Sequence, residues 1–409
     1  MSNVAKKEPL LFLCHRIPFP PNKGDKIRSF NILKKLAEQY DIHLGCFIDD
    51  PFDKQYVDGL SKYCVSVFHL DQNKTIAKIK GLKSFLTNQP ITLPYYFDKR
   101  MQQWANRTLL QENINKIFIY SSSMAQYCEG SQYASLKRVI DFVDVDSDKW
   151  RQYSERKTGL SKWVFQREFN LLARYEDKIC AEFDHSLFVS PDEAHLFRER
   201  QPSKEQVKVH GLLNGVDVDF FDPRTDFSDE PLVPEKPFIS FTGAMDYWAN
   251  IDAVLWFARQ VWPLILQQQP EAIFCIVGGN PSNEVKALAD LQGIEVTGRV
   301  HDVRPFIANA QCVVAPMQIA RGIQNKVLEA MSLNKAIVLT SMAMEGINAE
   351  SNDDIAIVDD VQTYAQQCLE FFAQKNTNIA NRQWVLAHFT WQQTLEPLGK
   401  YFLDKDVSE

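Results

Sequence analysis

Paired cysteines are missing from this chain. Its eight cysteines, at positions 14, 46, 64, 128, 180, 275, 312 and 368, include no CxxC pair, and its eight histidines show no HExxH or comparable ligand spacing. The cysteines read as buried thiols in a reducing cytoplasm, so no disulfide frame, no metal centre and no cofactor is expected. Long apolar runs are missing too: nothing approaches the roughly 18 continuous apolar residues of a membrane span. The opening "MSNVAKKEPLLFLCHRIPFPP" holds two lysines and then a short apolar run before His15-Arg16. That run reads as a first buried strand, not a signal peptide, and a cytoplasmic location is the expectation. Internal repeats and low-complexity tracts are absent. Positive excess is absent as well, and a net charge of −7 argues against a dedicated nucleic-acid binder.

What is present is a long, ordinarily globular chain. Its 409 residues, 45% hydrophobic and 24% charged, exceed one core and predict two domains. Apolar strand-like runs alternate with helical periodicity from the start: strands at 10–16, 41–49 and 64–70, an amphipathic helix at 27–40, and two further strands with polar carboxyl ends, "KIFIYSSSMA" and "RVIDFVDVDS". A long helical stretch over 149–182 and the strand "HSLFVS" follow. The alternation then restarts with "PFISFTGAM", a Trp-rich helix, "AIFCIVGGN", "IEVTG", "CVVAPMQ" and "AIVLT". Two α/β domains, each a doubly wound Rossmann-like parallel sheet, are expected, with the join near 207–223. Charge divides unevenly: residues 1–200 hold 30 basic and 25 acidic side chains, the remainder 15 and 27. A basic first half on an acidic protein points to an anionic partner for that half.

The most informative stretch is "RGIQNKVLEAMSLNKAIVLT", residues 321–340. A loop carrying Arg321 and Lys326 enters a helix that contains Glu329 and precedes a buried strand. Such a helix start faces the carboxyl ends of the strands, where open α/β sheets bind nucleotides, and its amides with two cations suit a diphosphate.

Taken in order, "LLNGVDVDFFDP", "SFTGAMDYWANIDAVLWF", "IVGGNP", "VTGRVHDVRPFIANA" and "GIQNKVLEAMS" resemble the second domain of retaining GT-B glycosyltransferases of the family-four type. The first half, "CHRIPFPPNKGDKIRSFNILKKLAEQYDIHLGCFIDDP" with "DFVDVDSDKW", is similar to the branch of bacterial sugar transferases associated with exopolysaccharide gene systems. The likeness covers nearly the whole chain. It implies two Rossmann-like domains facing across a cleft: an acceptor-binding domain (1–205), a nucleotide-sugar-binding domain (206–382) and a terminal helix (383–409) packing back on the first domain. It also implies a metal-independent transfer from a UDP- or GDP-sugar to a saccharide or lipid-linked saccharide. An epimerase of the same fold and a catalytically inactive assembly subunit remain as alternatives.

The resemblance assigns residues. Glu329 matches the glutamate that grips the nucleotide ribose, a job suited to a carboxylate that accepts two hydrogen bonds from a diol. The family's second glutamate, eight positions earlier, is Arg321 here, and the usual Arg/Lys pair after the first strand of this domain is missing, since "GAMDYWANIDA" offers Asn250 and no base. Arg321 and Lys326 are therefore expected to take over the diphosphate, with Gly243, Gly322, Ile323 and Val327 lining the donor. "PPNKGDKIR" resembles the glycine loop that closes over the donor phosphates: Gly24 permits backbone approach, and Lys23 and Arg28 add charge. Asp144 falls where many relatives place a catalytic-loop histidine and is the expected acceptor-orienting residue. "VGGNP" reads as a structural turn. Lys74, Lys78, Lys80 and Lys83, interleaved with Ile76, Ile79, Leu82, Phe85 and Leu86, form a basic amphipathic stretch of the kind that rests peripherally on an anionic membrane.

Overall fold

The computed structural model describes residues 7–21, 24–155, 158–227, 233–320, 322–373 and 380–403. Runs such as Leu10–Leu13, Phe274–Val277 and Cys312–Ala315 are wholly buried. That is the signature of strands covered on both faces, so they form the centres of parallel sheets. The chain divides into two compact units, Met1–Leu213 with Leu395–Glu409, and Asn214–Thr394.

In the first unit the strands are β1 (Glu8–Cys14), β2 (Tyr40–Ile48), β3 (Cys64–Asp71), β4 (Lys116–Tyr120), β5 (Lys137–Val143), β6 (His185–Phe188) and β7 (Val209–Gly211). They lie in the order β3-β2-β1-β4-β5-β6-β7, and every pairing is parallel. The order reverses between β1 and β4. Two buried ion pairs pin the first helix, Gly24–Ala37: Lys26 Nζ lies 2.9 Å from Asp53, and Arg28 lies 2.8 Å from Asp141, whose side chain is fully buried. Arg28 also donates to the Leu212 carbonyl at 2.8 Å.

The second unit holds β8 (Phe238–Thr242), β9 (Ile273–Val277), β10 (Ile294–Gly298), β11 (Cys312–Ala315), β12 (Ile337–Leu339) and β13 (Ile355–Ile357). Their order is β10-β9-β8-β11-β12-β13, again all parallel, with the reversal between β8 and β11.

Both ends of the units differ from the sequence reading. The first unit runs past residue 205, because Val209–Gly211 pairs with β6 and completes its sheet. The stretch 383–409 does not act as one terminal helix. Helix Ala380–His388 belongs to the second unit, clamped there by Arg382, whose guanidinium donates to the carbonyls of Val218, Phe221 and Ser332 at 2.7–3.0 Å. Among the described residues of this stretch, the turn Glu396–Phe402 packs on the first unit, with Phe402 against Tyr40 and Phe118, and Tyr401 against His185 and His210. The predicted stretch 149–182 is two helices, Asp146–Glu155 and Gly159–Glu182. No helix among the described residues is long and apolar enough to cross a membrane.

Candidate functional site

In the second unit, the point where strand order reverses is a place left by topology for a ligand: loops leaving β8 and β11 diverge to opposite faces and open a crevice at the carboxyl ends. Helix Asn325–Ser332 follows the loop after β11. Its N-terminal turn carries Lys326, whose side chain is drawn inward until the residue is 8% exposed. The ammonium donates to Asn250 Oδ1 at 2.5 Å and lies 4.2 Å from the centre of the Phe241 ring, in β8. Met317, just beyond β11, offers its sulfur at 3.7 Å. Asn250 is fixed in turn, donating from Nδ2 to the Ala244 carbonyl at 3.0 Å.

Glycines make this approach possible. A Cβ on Gly243 would lie 2.7 Å from Asn250 Nδ2, and one on Gly278 would lie 1.7 Å from the Gly243 carbonyl oxygen. The "VGGNP" turn is therefore a packing requirement of the crevice floor. Gly322 adopts a φ of 62°, a left-handed conformation that favours glycine, as the chain turns toward the helix.

One helical turn beyond Lys326 stands Glu329, partly exposed. Burial dominates both groups and opposes their charged forms, against a weaker mutual attraction. The Lys326 ammonium is lowered to about 7 and the Glu329 carboxyl raised to about 7. A cation so poorly solvated, at the amino end of a helix, gains strongly from an arriving anion, because the anion restores the solvation that folding removed. The carboxyl end of the same helix is neutralised by Arg382, which donates to the Ser332 carbonyl at 2.7 Å.

The corresponding point in the first unit gathers His15, Arg16, Asp25 and Tyr120. Asp25 is the hub: Arg16 bonds it closely, His15 Nε2 lies 3.5 Å away, and Tyr120 donates to its main-chain carbonyl at 2.8 Å. Burial raises the Asp25 pKa, but His15 and Arg16 outweigh it and hold the carboxyl well below the ordinary range. His15 Nδ1 is buried with no hydrogen-bond partner among the described residues. Backbone strain clusters at the ends of the next strands, with φ of 80° at Ser121 and 71° at the β-branched Val143.

The sequence-derived residues distribute as follows. Lys326 and Gly243 both lie against Asn250, Glu329 stands one turn further along the helix that carries Lys326, and Gly322 lies in the loop that leads into that helix. Val327 is fully buried and Ile323 is 8% exposed, so their side chains belong mainly to the core. Arg321 and Lys23 lie outside the described residues. Gly24 begins its helix with nothing within 4 Å of a hypothetical Cβ, so the fold itself makes no demand for glycine there. Arg28 is not a free cation for phosphate, because its charge is spent on Asp141. Asp144 follows β5, with Lys149 Nζ at 2.7 Å from its carboxylate. Sequence reasoning missed the engagement of Asn250 with Lys326 and the pairing of Asp25 with Arg16 and His15.

Residues 236–374 match the family model described as "Glycosyl transferases group 1". An uncharacterized 44.6 kDa protein in the cps region of Klebsiella pneumoniae is 21% identical over 375 residues, spanning 87% of this chain and 88% of that protein. Among solved structures, sucrose-phosphate synthase from Thermosynechococcus elongatus aligns with a TM-score of 0.70 at 16% identity, over 97% of this chain and 98% of that one. Anabaena Alr3699/HepE, in complex with UDP and glucose, aligns with a TM-score of 0.66 at 14% identity, over 96% and 98%. These likenesses show the architecture. The fold is that of the GT-B glycosyltransferases, the second unit carries a group 1 glycosyl transferase domain, and the enzyme is a glycosyltransferase.

Proposed function

We propose that the chain is a retaining, metal-independent hexosyltransferase that moves a sugar from a nucleoside diphosphate donor to a hydroxyl of a saccharide or lipid-linked saccharide. Its setting is the cytoplasmic assembly of an exopolysaccharide or other cell-surface glycan. The observation that carries this reading is the desolvated Lys326 ammonium at a helix start, on the crevice where the second sheet reverses its order. Two comparisons support it: HepE structures contain UDP and UDP-glucose, and the Klebsiella relative belongs to a cps region.

In this reading the second unit binds the donor. Lys326, with Arg321, neutralises the diphosphate as the bond from the sugar's anomeric carbon to the phosphate oxygen breaks and the oxygen leaves with the electron pair. Glu329 accepts from the ribose hydroxyls, while Gly243, Gly322, Ile323 and Val327 shape the walls. The first unit binds the acceptor, with Asp144 orienting the acceptor hydroxyl. That oxygen bonds to the anomeric carbon on the face the diphosphate left, and its proton passes to the departing phosphate.

The test is a panel of UDP- and GDP-sugars in EDTA, read first as protection against thermal unfolding and then as transfer to saccharide acceptors. At least one donor should raise the melting temperature, since a ligand of the folded form stabilises it. Transfer should yield a product with the donor's anomeric configuration. Protection by none favours the inactive assembly subunit. Conversion of the donor without an acceptor favours the epimerase.

A further inference from the structure

Helix Lys74–Leu82 and the turn Ser84–Thr87 that extends it are seated the wrong way round for a surface helix. At 100° per residue, Ala77, Gly81 and Ser84 share one face, and these small residues are the buried ones. Gly81 sits so close to the fold that a Cβ there would lie 2.9 Å from Ile91 Cγ2. The opposite face carries Ile76, Ile79, Leu82 and Leu86, all turned to solvent, with Leu86 90% exposed. A second element extends this apolar face. Phe85 stacks on Trp163 at a ring separation of 6.2 Å, and Trp163 and Leu160, at the start of helix Gly159–Glu182, are 56% and 76% exposed.

The two elements are locked together. Arg167 donates to the Ser84 carbonyl at 2.6 Å and lies over the Phe85 ring, and the fully buried Glu168 accepts from the Ile91 amide at 2.6 Å. The face is therefore a fixed part of the fold.

Its charge selects the partner. Residues 72–97 contain four lysines and no acid, and Lys162 and Arg167 add positive charge on the second element, in a protein of net charge −7. A second copy of the chain is disfavoured, since a two-fold contact would press one cationic patch against its twin. Outward apolar side chains, an exposed tryptophan and flanking lysines instead match the boundary between acyl chains and anionic headgroups.

We infer that this face docks the first unit on an anionic phospholipid bilayer, with Ile79, Leu86, Leu160 and Trp163 entering the headgroup layer and Lys78, Lys83 and Lys162 meeting its phosphates. The docking places the enzyme where lipid-linked acceptors reside.

The test is co-flotation of the full chain with vesicles of phosphatidylglycerol and phosphatidylethanolamine, or of phosphatidylcholine alone, without any sugar nucleotide. A failure here thus leaves the transferase reading standing. The protein should float with the anionic vesicles only, and added salt should release it. Ile79→Ser/Leu86→Ser should weaken binding at least about tenfold. Lys78→Glu/Lys83→Glu should weaken it about 25-fold or more, from roughly fivefold per basic residue. Both pairs are exposed, so melting temperatures should stay unchanged. Wild-type protein left at the bottom with anionic vesicles overturns the inference, as does equal flotation of the Ile79→Ser/Leu86→Ser variant. Concentration-dependent dimerisation that this variant abolishes also overturns it, in favour of self-association.

Discussion

Replacing Lys326 with methionine should make the protein more stable and worse at binding its donor. Lowering an ammonium from an ordinary 10.5 to about 7 corresponds to roughly 5 kcal/mol of destabilisation at neutral pH, the cost of enclosing a charge in a poorly solvating site. Methionine has a similar length, carries no charge and suits a neighbourhood of Met317 and Phe241. Against the gain stands Asn250, whose Oδ1 loses the donor now at 2.5 Å; a buried acceptor left alone costs about 1–3 kcal/mol. The balance is a stabilisation of about 2–4 kcal/mol at pH 7, or a melting temperature higher by roughly 5–10 °C. The sign follows from proton counting. Between about pH 7 and 10.5 the unfolded chain keeps this proton and the folded chain gives it up, so wild-type stability rises with pH across that window. The advantage of Lys326→Met should therefore shrink toward pH 10. Meanwhile UDP should bind about 30- to 100-fold more weakly, because a charge-assisted hydrogen bond to phosphate is lost. Scanning fluorimetry at pH 7 and 9.5, with and without UDP, measures all of this. A variant no more stable than wild type, with unaltered UDP protection, would refute the reasoning.

Glu329→Gln should weaken UDP binding about tenfold, as titrated by calorimetry, while leaving the melting temperature unchanged or higher above pH 7. Burial raises the carboxyl's pKa to about 7, so wild-type stability falls as pH rises from about 4.5 to 7, a loss that glutamine does not suffer. Asp141→Asn should destabilise the first unit by about 3–5 kcal/mol in chemical denaturation, because it leaves the Arg28 guanidinium buried without its counter-charge. An unchanged unfolding midpoint would show that Arg28 finds another partner.

How much of this was legible beforehand varies with distance along the chain. Strands buried on both faces stand out as unbroken apolar runs, so the two parallel sheets could be read from "LLFLC" or "CVVA". The short β7 could not, since three residues, "VHG", carry no periodicity of their own. The tail's apolar residues announce that it packs, without naming a partner, and Arg382 acts on carbonyls that no sequence displays. The motif put Lys326 and Glu329 near one helix start, and both do lie on helix Asn325–Ser332. The meeting of Lys326 with Asn250 joins residues 76 apart, and only folding brings it about. Arg28 was misjudged for the same reason: its loop looks like a source of free charge, yet Asp141, 113 residues on, consumes it.

The chain leaves its first unit at Leu213 and returns to it only at Leu395. The outgoing and returning stretches run side by side, Val216 bridging to Thr390 and its amide reaching the Phe389 carbonyl at 2.7 Å. During synthesis, the amino-terminal half therefore emerges from the ribosome without Tyr401 and Phe402, the aromatic cover for Tyr40, Phe118 and His210. It must wait, incomplete, until the whole second unit has been made. Trimming the last dozen residues would for that reason injure the part of the protein that was translated first.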